Sequence, residues 1–143
     1  MSLINRQINK LIQDKLEYID DSLNVHIKFD KNFIGFQGHF PGNPVLPGVI
    51  MIKTMISMYE LYKKKSFTLS QIKQAKFIEP VLVDTFISFS LKSKSDDKGI
   101  ILQGKVMKAL KIIAKISLIL QEQEMKIINN PISTNPLSLE QEI

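Results

Sequence analysis

The chain has 143 residues, no cysteine, two histidines and a formal net charge of +5. That length suits one domain, 1–143, whose core a subunit interface can help complete. The absence of cysteine excludes disulfides, thiolate catalysis and cysteine-ligated zinc, and two histidines without tight Asp or Glu company argue against a metal centre.

The opening residues Met1 to Ile8 lack the apolar core of a signal peptide, and no uninterrupted apolar run reaches bilayer length. A cytoplasmic location without integral membrane association is the expectation. Ile4, Ile8, Leu11 and Ile12 fall at helical spacing and predict a short amphipathic helix. Leu23, Val25, Ile27 and Phe29 then alternate with Asn24, His26, Lys28 and Asp30, the period of a half-buried strand. His26 lies on its polar face and reads as structural or solvent-facing.

Between Gly38 and Ile50 the chain places His39 among three prolines and three glycines, directly ahead of an apolar run. Pro41, Pro44 and Pro47 fix φ and push their predecessors toward extended geometry, while Gly42 and Gly48 permit close backbone approach. A rigid loop delivering His39 to a helix entrance follows; the alternative is a plain turn with His39 satisfied locally.

The spacing predicts a helix from about Pro47 or Gly48 to Lys63. Its apolar residues cover most of the circumference, so it must be enclosed on several sides. Lys53, Ser57, Glu60 and Lys64 recur at four, three and four residues and form a narrow polar stripe, with Thr54 at its margin. In a buried helix such a stripe lines a cavity or faces an opening. Strands are expected over 69–78, 83–94, 100–109 and 111–120, with a turn at Asp96 to Gly99. The result is an α+β architecture, one long helix against a broad antiparallel sheet. Residues 125–143 have weaker periodicity and read as a surface tail.

Seven lysines against two aspartates occupy 92–115. Such a field is a solvated face or attracts an acidic protein; without aromatic interleaving or a recognition helix, nucleic acid is not expected. At the helix entrance, unpaired amides carry positive potential suited to a developing oxyanion. With Gly48 addressing a thioester oxygen, His39 is the candidate base.

The run His39-Phe40-Pro41-Gly42-Asn43-Pro44-Val45-Leu46-Pro47-Gly48-Val49 resembles the signature of hot-dog-fold 3-hydroxyacyl-(acyl carrier protein) dehydratases, and Ala75-Lys76-Phe77-Ile78-Glu79-Pro80-Val81 resembles their next characteristic segment. The similarity continues to about Leu120. It implies an antiparallel sheet wrapped around one central helix, in a homodimer or a hexamer built as a trimer of dimers. It also implies a site at the dimer interface that takes an acyl chain on the phosphopantetheine arm of an acidic acyl carrier protein, with no metal or nicotinamide cofactor. His39 matches the catalytic histidine and Gly48 the thioester-binding glycine; Phe40, Pro47, Val49 and Ser57 are the implied pocket lining. One position departs: Lys53 stands where the family carries its catalytic Glu or Asp, and Ser57 replaces a glutamine one turn later. Three readings follow: a dehydratase with Lys53 as a non-standard acid, an acyl-thioester hydrolase, or a non-catalytic carrier-binding or scaffold protein.

Overall fold

The computed structural model describes residues 2–36, 42 and 44–123. His39 and Phe40, and the expected tail 125–143, lie outside the described residues.

Helix α1, Leu3–Ile12, starts where the Ser2 hydroxyl accepts the Asn5 amide at 3.1 Å, an N-cap that satisfies an orphan donor. Its apolar stripe buries Ile8 and Ile12 completely. Two strands follow, β1 (Glu17–Ile19) and β2 (Ser22–Lys28), joined by Asp20 and Asp21 at φ 52° and 63°. Positive φ at both central residues makes this a two-residue hairpin turn whose twist matches its strands, and Asp tolerates that region. β1 escapes the sequence reading because it is three residues long and carries no Asn-Gly or Asp-Gly signal.

The central helix α2 spans Gly48–Lys63, as its composition predicts. It ends at Lys64, which takes the left-handed conformation at φ 57° and donates its amide to the Glu60 carbonyl at 2.7 Å. Four long strands complete the fold: β3 (Phe67–Phe77), β4 (Phe86–Asp96), β5 (Gly99–Lys108) and β6 (Lys111–Glu122). The β4 start is later than the alternation suggests. Val83 and Asp84 form a turn ahead of Thr85, in which Asp84 has φ 60° and gives its amide to the Phe29 carbonyl at 2.9 Å, so the alternating pattern begins before strand pairing does. At the β4–β5 turn Gly99 has φ 133°, and a Cβ there would sit 2.5 Å from the Leu120 carbonyl oxygen.

The six strands form one antiparallel sheet in the order β1-β2-β4-β5-β6-β3. Its concave face holds α2 against Val25, Ile27, Phe89, Leu91, Leu102 and Leu118, all buried, and α1 packs on the helix from outside. This is the hot-dog fold. On the convex face the register places Lys105 opposite Lys115, and Lys115 opposite Lys76, three lysines in one row across adjacent strands.

One edge is left open. On β3, Leu69, Ile72, Ala75 and Phe77 pair with buried Leu120, Leu118, Ile116 and Ala114, which sets them on the concave face. Yet Leu69, Ile72 and Phe77 are 37–46% exposed, because α2 covers this edge only in part. The accessible line of α2 runs beside this edge through Val49, Lys53, Ile56 and Glu60, spaced by four, three and four residues. The stripe expected from sequence therefore faces an opening, but rotated: Ser57 is buried, and Thr54 is buried with its hydroxyl donating to the Ile50 carbonyl at 2.8 Å.

Candidate active site at the entrance of the central helix

The entrance of α2 is held by the chain on both sides of it. Leu46 donates its amide to the Val81 carbonyl at 2.8 Å, and Val45 bridges Leu82, so the proline loop is tied to the segment after β3. Pro47 occupies the N-cap with φ −62° and extended ψ, and offers no side chain to the first helical amides. The Gly48 and Val49 amides lack an intrahelical acceptor and concentrate the positive end of the helix dipole, while the Ile50 amide donates to the Pro47 carbonyl at 3.0 Å. The apolar sequence thus leaves donors open at the point where the loop arrives.

Pro47 and Gly48 line an open groove of about 410 Å³, facing Phe77, Ile78, Glu79 and Pro80. The Phe77 ring lies directly on Gly48: a Cβ at that position would meet the ring at 2.6–3.0 Å. Glycine here is a matter of space, allowing an aromatic wall beside the helix entrance.

Glu79 anchors the far wall. Its carboxylate is paired with the ammonium groups of Lys108 and Lys111, the latter donating to Oε1 at 2.7 Å. Hydrogen bonds from these two lysines, outweighing partial burial, pull its pKa down from 4.5 to about 2. Ile78 and Glu79 also donate their amides to the Ile113 carbonyl, at 2.8 and 3.3 Å. The β5–β6 hairpin is thereby fastened to the groove. Reading the sequence singles out the segment from Ala75 to Val81 but misses this role; the signal was a lone acid among apolar residues and prolines.

The remaining sequence candidates are distributed as follows. Val49 is 55% exposed, and Lys53 is half-buried one and a half turns beyond Gly48; neither lines the groove. Ser57 is buried within the fold. His26 bonds Ser88 Oγ through Nδ1 at 2.8 Å and stacks on Phe86 at 5.0 Å, a surface contact away from the helix entrance. Among the described residues no cluster of His, Asp and Glu is arranged to hold a metal, and no helix is long and apolar enough to cross a membrane.

The chain is similar in sequence and in fold to known dehydratases. The 3-hydroxyacyl-[acyl-carrier-protein] dehydratase FabZ of Lactobacillus helveticus is 28% identical over 141 residues, covering 89% of this chain and 94% of that protein. FabZ of Levilactobacillus brevis is 33% identical over 88 residues, 54% of this chain and 58% of that one. Among solved structures, the dehydratase heterocomplex ApeI:P from Xenorhabdus doucetiae superposes with a TM-score of 0.60 at 17% identity, over 72% of this chain and 89% of that one, a likeness of fold. The family described as ApeI-like, ApeI dehydratase, matches residues 15–112. That span takes in the β1–β2 hairpin, the proline loop, α2, the groove wall and β5 as far as the start of β6, so the chain belongs to the ApeI-like dehydratase family.

Proposed function

We propose that this chain acts on 3-hydroxyacyl thioesters carried on a phosphopantetheine arm, removing water to give the α,β-unsaturated thioester. The observation that carries the reading is the uncapped entrance of α2 opening onto the groove at Gly48. The Gly48 amide receives the thioester oxygen, which gains negative charge as the neighbouring carbon loses its proton. His39 takes that proton. The C3 hydroxyl leaves as water with a proton supplied by the Lys53 ammonium, and return of the histidine proton to the lysine amine, directly or through solvent, restores both groups. No metal or redox cofactor enters this balance. Pro47 lines the groove and Phe40 completes it in this reading, whereas Val49 and Ser57 stand outside it.

A second subunit is part of the proposal. The exposed apolar residues of β3 and the accessible line of α2 form one face with Lys53 in it. Two copies related by a two-fold axis cover this face and bring Lys53 of one toward His39 of the other. The same face favours a second arrangement: a different hot-dog subunit whose carboxylate meets Lys53. Burying a lysine opposite its own copy leaves a charge uncompensated, whereas an acid facing it neutralises the pair. The convex-face lysines fit an acidic acyl carrier protein as the substrate's donor.

The test is turnover of a panel of 3-hydroxyacyl carrier proteins, followed by mass spectrometry of the arm. Unsaturated product that disappears in His39→Ala supports the proposal, and Lys53→Glu is expected to raise its rate at least tenfold. Free thiol without unsaturated product indicates a hydrolase instead. Carrier binding without either reaction indicates a scaffold. Activity that appears only on adding a second hot-dog chain bearing the acid selects the mixed assembly.

A further inference from the structure

With α2 on the concave face and α1 packed on α2, the convex face of the sheet is left to its own side chains among the described residues. The strand register sorts them into rows. Ser88 stands opposite Met107 and Met107 opposite Ile112, with Phe86 following Ser88 on the same face of β4. Two residues further along the strands lies the row of Lys105, Lys115 and Lys76. The apolar row and the lysine row are therefore about 7 Å apart, twice the rise of an antiparallel strand.

Charge on this face has one sign. The cations that the register places there are Lys28, Lys76, Lys92, Lys94, Lys105 and Lys115, all exposed and none in an ion pair among the described residues. The strand acids on it, Glu17 and Asp96, stand at its margins, on edge strand β1 and at the far turn. At the other end the face is apolar: Phe86 is 50% exposed, and beyond Met107 and Ile112 the β5–β6 hairpin closes through Ala109 and Leu110. Ala109 has φ 55°, a conformation that favours Gly or Asn, and Leu110 is 97% exposed. An apolar tip set against local turn chemistry points to a use other than the turn.

Three kinds of partner could meet such a face. Protein interfaces favour Tyr, Trp and Arg and are depleted in Lys, whereas the strands offer here six lysines and none of those three. Single-stranded nucleic acid stacks its bases on open aromatic rings. Phe86 is already engaged: His26 stacks on it with centroids 5.0 Å apart and planes 6° from parallel, and the Lys28 ammonium lies 5.3 Å from its centroid. An anionic bilayer uses both parts of the face. Apolar side chains sink about 5–10 Å into the boundary between headgroups and acyl chains, and lysines set about 7 Å behind them reach the lipid phosphates.

We propose that this end of the convex face docks the protein on an anionic lipid bilayer, with Leu110 inserted and the row of Lys105, Lys115 and Lys76 at the headgroups. The two-fold assembly proposed above uses the concave side of β3 and the accessible line of α2, so each copy keeps this face outside.

Cosedimentation of the full chain with vesicles tests the docking. Vesicles of equal parts phosphatidylglycerol and phosphatidylcholine should bind it at least about tenfold more tightly than phosphatidylcholine alone, and sodium chloride should release it. Leu110→Asp should weaken binding at least about tenfold, and Lys115→Gln about fivefold. Both positions are exposed, so neither change disturbs the core. The chain has no tryptophan, so emission from Leu110→Trp reports on the tip alone and should shift to the blue on the anionic vesicles. No binding to those vesicles, equal binding to both compositions, or a bound Leu110→Trp with unshifted emission would overturn the proposal. Absent vesicle binding, capture of the acyl carrier protein assigns the lysines to that partner, and a lower mass for Leu110→Asp in light scattering assigns the tip to a second copy. Either outcome is independent of whether the thioester reaction proposed above holds.

Discussion

Two single residues at the helix entrance make separable predictions. Glu79 has a folded pKa of about 2 against 4.5 ordinarily, so it binds a proton less readily when folded. Its contribution to stability is then complete above about pH 4.5 and fades as the pH falls toward 2. In urea titrations wild type should exceed Glu79→Gln at neutral pH, and the gap should close through that acid window. A gap independent of pH would show that the ion pairs with Lys108 and Lys111 do not hold the hairpin. Gly48→Ala tests the other wall: its methyl meets the Phe77 ring, which is 46% exposed and can swing aside. The expected cost is about 1 kcal/mol, at the low end for overpacking. Phe77→Ala in the same chain should remove most of that cost, a coupling measurable by a double-mutant cycle.

Among elements, α2 was the most legible, since its apolar residues, the preceding prolines and the following lysines agree on both ends. The strands β2, β5 and β6 were legible from alternation for the same reason, one face buried and the other wet. β3 was recognised as a strand, but its exposure was not foreseen. Leu69, Ile72 and Phe77 look like core residues in sequence, and only the position of α2 leaves them uncovered. Nor could sequence show that Glu60, read as part of a polar stripe, has a structural partner. Its carboxylate accepts the Phe67 amide at 2.8 Å and closes the connection from α2 to β3. Glu60→Ala should therefore destabilise the chain by about 1–2 kcal/mol in urea titrations, whereas a merely solvated acid would cost nothing measurable. The helix entrance was anticipated from the prolines and Gly48, while its aromatic wall needed the fold to bring Phe77 back to it.

For the whole molecule, the open β3 edge makes association the natural completion of the core. Ile72→Asp places a charge on the concave side of that edge. In light scattering it should convert an assembled species to monomer while leaving the far-UV spectrum intact. An unchanged mass would locate the interface elsewhere. The row formed by Lys76, Lys115 and Lys105 has a different consequence. Neighbouring strands stand about 4.8 Å apart, so these ammonium groups repel one another across the ladder in the folded state more than in a loose chain. Added sodium chloride shortens the range of that repulsion to about 8 Å at physiological strength. The melting temperature should rise from low to moderate salt, and the rise should shrink in Lys115→Gln, where the middle charge is gone. This protein ought to dislike dilute buffer.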